Sequence, residues 1–262
     1  HLDITIEQVD LTSLPEPDQS IVKNQLIQAE SQKPFNLNKD CLTRLTLIKL
    51  HDNEFVLLMT LHHIISDGWS INVILQELSQ FYANNTPVVA NLPIQYADYA
   101  HWQRQNLTQD RLTQKLQFWQ QQLDGIPTLL NLPLDFPRPS SQTFNGKHHY
   151  FTLDKKTTSD LHKILHQTDT TLYMTLLSTF AILLCKLSQQ KDICIGSPVA
   201  GRDRTELENL IGLFVNVVIM RIDCQTNPSL RSLLQRVKTM TLNGFSHQDL
   251  PFEYLVEAIA PH

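Results

Sequence analysis

The sequence lacks the signals of several large functional classes. Its four cysteines, Cys41, Cys185, Cys194 and Cys224, form no Cys-x-x-Cys pair, which disfavours a zinc ribbon and a thioredoxin-type redox site. No apolar run approaches the roughly 18 residues of a membrane span, and residues 1–10 show no basic, signal-type segment. The net charge of −5 argues against nonspecific binding of nucleic-acid phosphates. These absences predict a cytoplasmic protein with reduced thiols that binds neither membranes nor nucleic acids.

The composition is that of a globular chain with room for about two domains. Of its 262 residues, 42% are hydrophobic and 18% are charged. Prolines concentrate at residues 127–139 and interrupt secondary structure there. Because strand-like and helix-like patterns occur on both sides, we predict two α+β halves, residues 1–137 and 138–262.

The periodicity of apolar residues predicts the individual elements. In the first half it predicts strands near residues 2–11, 42–50 and 54–64, a helix near 20–30, a helix from residue 68, and one helical block from Pro93 to about Leu123. In the second half it predicts strands at 148–153, 192–199 and 214–223 and helices at 155–167, 172–188 and 229–244. The strands at 42–50 and 54–64 have apolar residues at both parities, which is typical of strands covered on both faces.

The segment TLHHIISDGWS at residues 60–70 lies where a buried strand gives way to a helix. A metal site is disfavoured, because adjacent strand histidines point to opposite faces and no further ligands cluster nearby in the sequence. One interpretation is structural: His62 and His63 are satisfied core or loop histidines, and Asp67-Gly68 is a turn before the helix.

The other interpretation is catalytic. By alternation, one histidine would point into the core and the other into a cleft. An imidazole with a pKa of ~6.5 could accept a proton from an attacking nucleophile. No GxSxG elbow or candidate nucleophilic cysteine accompanies it. In this interpretation the reaction would be acyl transfer without a covalent enzyme intermediate, with Asp67 paired to a buried arginine and holding the turn.

The string HHIISDGWS resembles the HHxxxDG motif of condensation domains of nonribosomal peptide synthetases, which are relatives of chloramphenicol acetyltransferase and carnitine acyltransferases. YADYAHWQ at 96–103, IGLFVNVVIMR at 211–221 and HQDLPFE at 247–253 resemble further motifs of that family in the same order, and SPVAGR at 197–202 resembles the segment before the FVN motif. The ordered matches cover most of the chain and favour the catalytic interpretation of the histidines.

The resemblance implies an α/β fold of two chloramphenicol-acetyltransferase-like lobes. The lobes would form a V-shaped pseudo-dimer with an active-site tunnel where they meet, and the first lobe would be incomplete. Matching the motif assigns the catalytic role to His63, a packing and orienting role to His62 and a structural role to Asp67. Arg202, in the family-like GR, is the expected partner of Asp67.

The resemblance also implies the residues around the substrate. Gly68 matches the motif glycine, whose missing Cβ would let backbone approach the substrate and whose amide would bind an oxyanion. Trp69, Ser70 and Asn216 are expected to line the tunnel. For Asn216 the alternative is a structural role at a strand edge.

The implied reaction is amide formation between a donor acyl or peptidyl thioester and an acceptor aminoacyl thioester. Both would be carried on 4'-phosphopantetheine by carrier proteins, with an adenylation domain as neighbour and with no cofactor or metal bound by the domain itself. The motifs are most similar to the subtype that joins two L-residues. An epimerisation domain, a non-catalytic recruitment domain and a coenzyme A-dependent acyltransferase are the alternatives.

The chain also departs from the family pattern. The two N-terminal motifs and the last motif are absent, so we expect an internal slice of a condensation domain. Such a slice is expected to fold poorly and to condense slowly when expressed alone, because strands with open edges promote aggregation.

Overall fold

The computed structural model describes residues 4–84, 91–143 and 145–259, and the first residues of the strand predicted at 2–11 lie outside these ranges. The chain forms two compact units, one of residues 1–102 with 202–215 and one of residues 103–201 with 216–262. The predicted lobe boundary at residue 137 lies inside the second unit. The two units are groups of residues that pack compactly together, whereas the predicted lobes are halves that resemble acetyltransferases. The division into lobes therefore stays a prediction.

The first unit is built around a three-stranded sheet. Its elements are β1 (Ile6–Asp10), α1 (Glu16–Gln32), β2 (Thr43–His51), β3 (Glu54–Leu61) and α2 (Gly68–Asn84), followed by α3 (Tyr96–Asn106), which continues into the second unit. The strand order is β1-β2-β3, with β1 parallel to β2 and β2 antiparallel to β3. The HHxxxDG turn begins directly after β3 and is therefore positioned by the end of this sheet.

Helix α1 covers one face of this sheet. Leu11, Ile48 and Leu50 form its buried core, and the side chain of Gln19 donates to the carbonyl oxygens of Leu11, Leu14 and Leu50. The opposite face keeps Phe55 and Leu57 of β3 exposed. The prediction that both faces are covered therefore holds for one face only within the described residues.

Among its described residues, the second unit combines a two-stranded antiparallel sheet with five helices. Its elements are α4 (Gln109–Leu123), α5 (Lys155–Thr168), α6 (Leu172–Ser188), β4 (Asp192–Val199), β5 (Asn216–Asp223), α7 (Leu230–Ser246) and α8 (Phe252–Ile259). Strands β4 and β5 are antiparallel, and apolar residues of β5, α6 and α7 such as Met220, Ala181 and Val237 form the largest buried cluster. Asp154, Thr171 and Ser229 cap the N-termini of α5, α6 and α7 by accepting a hydrogen bond from the amide three residues on.

Three predicted elements differ from the structure. Residues 148–153 form no strand and pair with no other strand among the described residues. The predicted helical block is two helices with a break at Leu107 and Thr108, and it begins at Tyr96, after Pro93. β3 ends at Leu61, before the histidine pair.

Within the described residues, no single helix is long and apolar enough to cross a membrane. Helices α5 and α6 are long and apolar enough only when taken together, and the chain bends by 104° between them.

Candidate active site

The two histidines lie on a tight turn after β3. His63 opens a short 3₁₀ helix, His63–Ile65, and Nδ1 of His62 accepts a hydrogen bond from the amide of Ile64 at 3.0 Å. The ring of His62 also packs edge-on against Phe35. Since Nδ1 of His62 is an acceptor, a neutral His62 carries its proton on Nε2. His62 thus holds the turn that presents the next residue.

The imidazole of His63 is exposed. It makes no hydrogen bond or ion pair to any residue that the structure describes. Its position differs from the expectation, because it lies on the 3₁₀ turn and not on the strand. Both ring nitrogens are therefore open to a substrate on the solvent side.

Asp67 is the centre of a buried polar cluster. Its carboxylate accepts hydrogen bonds from the amide and hydroxyl of Ser70, both at 2.8 Å, from Nη2 of Arg202 at 3.1 Å and from the amide of Phe214 at 3.0 Å. The bond from the Ser70 amide caps the first turn of α2. The structure thus brings together the predicted pair of Asp67 and Arg202.

The environment of Asp67 favours its ionised form. Burial alone would raise its pKa, but hydrogen bonds from the amides of Ser70 and Phe214, from the Ser70 hydroxyl and from Arg202 outweigh burial and lower the pKa. Asp67 is therefore a fixed anion at neutral pH and is unsuited to exchange protons with a substrate.

Arg202 connects residues 207–214 to the same cluster. Its side chain is 0% exposed and donates to the carbonyl oxygens of Leu207 and Leu210. Its guanidinium also lies 4.0 Å from the centre of the Phe214 ring. The segment from 202 to 214 is thereby held against the start of α2.

Gly68 and Trp69 begin helix α2. A Cβ on Gly68 would meet no atom within 4 Å, so the glycine leaves open space beside the turn. The indole of Trp69 is 43% exposed, and its Nε1 donates to the carbonyl oxygen of Glu208 at 2.8 Å. The expected substrate contacts of Trp69 would therefore involve the ring face and not its N–H.

Gly212 and Tyr96 are in contact beside the Asp67 cluster, and their motifs predicted no role for either residue. A Cβ on Gly212 would lie 2.2 Å from Cδ2 of Tyr96, so only glycine fits there. The hydroxyl of Tyr96 donates to the carbonyl oxygen of Leu213 at 2.9 Å, and its ring packs against Phe214. Both residues belong to motifs already noted in the sequence, but the spacing of those motifs gave no sign that they touch.

Asn216 begins β5 in the second unit. Its Nδ2 donates to the carbonyl oxygens of Gln248 and Leu250 at 2.6 and 2.7 Å, and its Oδ1 accepts from the amide of Phe252 at 3.0 Å. The side-chain amide is therefore occupied by the backbone of the HQDLPFE segment. These contacts support the structural alternative for Asn216, and the tunnel role stays a prediction.

We expect Asn216→Ala to destabilise the protein by about 2 kcal/mol, because three backbone groups of a half-buried loop lose their partner. The measurement is chemical denaturation, with Asn131→Ala as a control at an exposed asparagine. Equal stabilities of the two variants would contradict the structural role.

The lowered pKa of Asp67 also predicts a pH dependence. Its contribution to stability is complete above the unfolded-state pKa of about 3.9 and is lost as the pH falls through the lower folded-state pKa. We expect the difference in unfolding free energy between wild type and Asp67→Ala to be constant from pH 5 to 7 and to shrink below about pH 4. Denaturation across this range measures it, and a difference that stayed constant down to pH 2 would contradict it.

Cys185 and Cys194 are unsuited to act as nucleophiles. Burial, followed by contact with Cys224, raises the pKa of Cys185 to about 12, and burial also raises the pKa of Cys194. In the described part of the chain, no three His, Cys, Asp or Glu side chains are grouped to hold a metal ion. Of the predicted site residues, all except Asn216 lie in the first unit.

Comparison with known proteins identifies the family. The sequence profile of the condensation-domain family matches residues 1–262. The chain belongs to the condensation-domain family. Relatives of this condensation domain include a linear gramicidin synthase of Brevibacillus parabrevis, 41% identical over 256 residues, and malpinin synthetase of Mortierella alpina, 42% identical over 262 residues. These alignments cover 96% and 98% of the chain but only 3% of each relative.

Solved structures share the fold. A four-domain nonribosomal peptide synthetase bound to AMP and glycine matches with a TM-score of 0.87 and 28% identity, over 100% of this chain and 20% of that one. The X-domain from teicoplanin biosynthesis matches with a TM-score of 0.88 and 26% identity, over 98% of this chain and 58% of that one. The predicted condensation-domain fold, with mixed helices and sheets, is confirmed.

Proposed function

We propose that this condensation domain forms an amide bond between two carrier-bound thioesters. The observation that carries the proposal is the exposed imidazole of His63 on a turn fixed by buried Asp67 and Arg202. A rigid turn holds a base or a positioning group in one place, which is what an intermolecular reaction needs. The sequence of the HHxxxDG segment, intact in this chain, also supports catalysis.

The amine of the acceptor aminoacyl thioester attacks the carbonyl carbon of the donor thioester. A C–N bond forms, the C–S bond breaks, and the donor thiol leaves with the proton that the amine gives up. His63 orients the amine or accepts its proton in the tetrahedral intermediate and passes it to the leaving thiolate. The backbone amides at the start of α2, beside Gly68, stabilise the oxyanion.

The proposed reaction requires no cofactor bound by this chain. The 4'-phosphopantetheine arms belong to donor and acceptor carrier proteins, and an adenylation domain loads the acceptor. The proposed subtype joins two L-residues. Trp69 would contact the substrates beside His63 through the face of its ring.

The test uses the natural full-length protein and supplies it with a donor and an acceptor carrier loaded with L-aminoacyl thioesters. We expect mass spectrometry of the acceptor carrier to show an L,L-dipeptidyl thioester. An inverted residue without condensation would instead indicate epimerisation. Transfer from coenzyme A thioesters with carriers omitted would indicate a free acyltransferase.

A recruiting role is the second candidate. One similar structure is a complex of the X-domain and OxyB from teicoplanin biosynthesis, with a TM-score of 0.85 and 26% identity. A chain that captures a partner enzyme but forms no dipeptide would favour this role over condensation.

A further inference from the structure

Ser70 is the most connected hydroxyl of the described residues around the HHxxxDG turn. It lies in the first turn of α2, and its side chain is 0% exposed. Its Oγ lies 2.8 Å from Oδ1 of Asp67, 3.0 Å from Nη2 of Arg202, and 3.0 and 2.9 Å from the amide nitrogen and carbonyl oxygen of Gly212. Three segments that are distant in sequence therefore meet at one oxygen atom.

These contacts use the full capacity of a hydroxyl. A serine hydroxyl has one proton and two acceptor positions. The acceptor positions take the N–H groups of Arg202 and Gly212, and the proton goes to Asp67 or to the carbonyl of Gly212. No capacity remains for a substrate, and the hydroxyl is closed off from solvent.

Two other helical serines, Ser79 and Ser178, bind within their own helix. Ser79 of α2 donates to the carbonyl oxygen of Leu75, and buried Ser178 of α6 donates to that of Met174. Such bonds to the preceding turn are the usual use of a serine in a helix. Ser70 differs because its partners lie up to 142 residues away.

We infer that Ser70 is a positioning residue for His63 and not a substrate-contacting one. Its hydroxyl joins the Asp67–Arg202 pair to Gly212, so that the turn carrying His63 and the segment before β5 move as one body. Asp67 also accepts a hydrogen bond from the amide of Phe214. Among the described residues, the hydrogen bonds that join Gly212 to the turn are made by Ser70. The inference rests on the proposed condensation function for its kinetic consequence, but not for the coupling itself.

Hydrogen exchange tests the coupling without any need for activity. The variants are Ser70→Ala, Ser70→Cys and the control Ser79→Ala, which removes an exposed hydroxyl of the same helix. In Ser70→Ala we expect amides of residues 66–71 and 211–215 to exchange about 10-fold faster, because a buried partner is lost at both ends. Amides of β2 and β3 should keep their wild-type rates, and Ser70→Cys should be intermediate.

Kinetics with loaded carriers supply the second readout. We expect Ser70→Ala to lower kcat about 10-fold, with KM for both carriers unchanged, at a temperature well below the melting transition. Ser79→Ala should match wild type. Ser70→Cys should recover part of kcat, since a thiol is a weak donor and acceptor.

Some results would overturn the inference. Faster exchange spread equally over all slow amides would indicate a role in global stability alone. Wild-type exchange at both segments in Ser70→Ala would show that the hydroxyl does not couple them. If Ser70→Ala does not fold, Ser70→Cys must still show faster exchange confined to these segments. Localised exchange without any dipeptide from wild type would retain the coupling and refute the proposed function.

Discussion

His63→Ala is expected to slow dipeptide formation by about 10²–10⁴-fold, the range that a positioned general acid–base group contributes. The fold should be unaffected, because the imidazole is exposed and makes no hydrogen bond to the described residues. The measurement is single-turnover transfer from a loaded donor carrier to a loaded acceptor carrier. The melting temperature of the variant should equal that of wild type.

The matched control is His51→Ala, which removes another exposed histidine at the end of β2. Its transfer rate should equal that of wild type. A His63→Ala variant that condenses at a near-normal rate would refute the assignment of His63, and an equal loss in His51→Ala would indicate a nonspecific effect.

The same variant separates the two ways in which His63 could act. The α-amine of the acceptor has a pKa near 7.7–8.0 in free form, so it is already partly neutral at pH 7. If His63 mainly removes a proton, hydroxide replaces it at high pH, and the defect of His63→Ala should shrink between pH 7 and pH 9. If His63 mainly orients the amine, the defect should be the same at both pH values.

Much of the fold could be predicted from local sequence patterns. Helix α6 is an apolar segment with a threonine cap, and β2, β4 and β5 show strong strand periodicity, so each was predicted to within a few residues. The break between α3 and α4 was missed, although Thr108 followed by Asp110 is a helix-start signal. The strand predicted at residues 148–153 was wrong, because aromatic residues such as Tyr150 and Phe151 favour a strand locally but cannot supply a partner strand.

The candidate site was predictable only where a motif carried it. The HHxxxDG resemblance assigned His63 and Asp67 and suggested Arg202, and the last two are in contact. The burial of Ser70 and the crowding of Gly212 by Tyr96 depend on contacts across more than 100 residues of sequence. No periodicity encodes such contacts, so a three-dimensional structure was needed to find them.

Asp67→Ala is expected to destabilise the protein by about 3–5 kcal/mol, the cost of removing one partner of a buried ion pair. The carboxylate is 3% exposed and lies within hydrogen-bond distance of four donor groups, and its loss leaves the guanidinium of Arg202 buried without a counter-charge. Chemical denaturation measures the loss. Asp52→Ala is the control. Asp52 forms an ion pair with Lys49, but its carboxylate is 93% exposed, so this variant should change stability little.

A second variant separates the ion pair from simple loss of packing. In the double variant Asp67→Ala/Arg202→Leu the stranded charge is gone, so it should be more stable than the sum of the two single losses predicts. Additive losses would mean that the two charges do not depend on each other. An Asp67→Ala protein as stable as the Asp52→Ala control would show that the cluster does not hold the turn, and the position of His63 would then need another explanation.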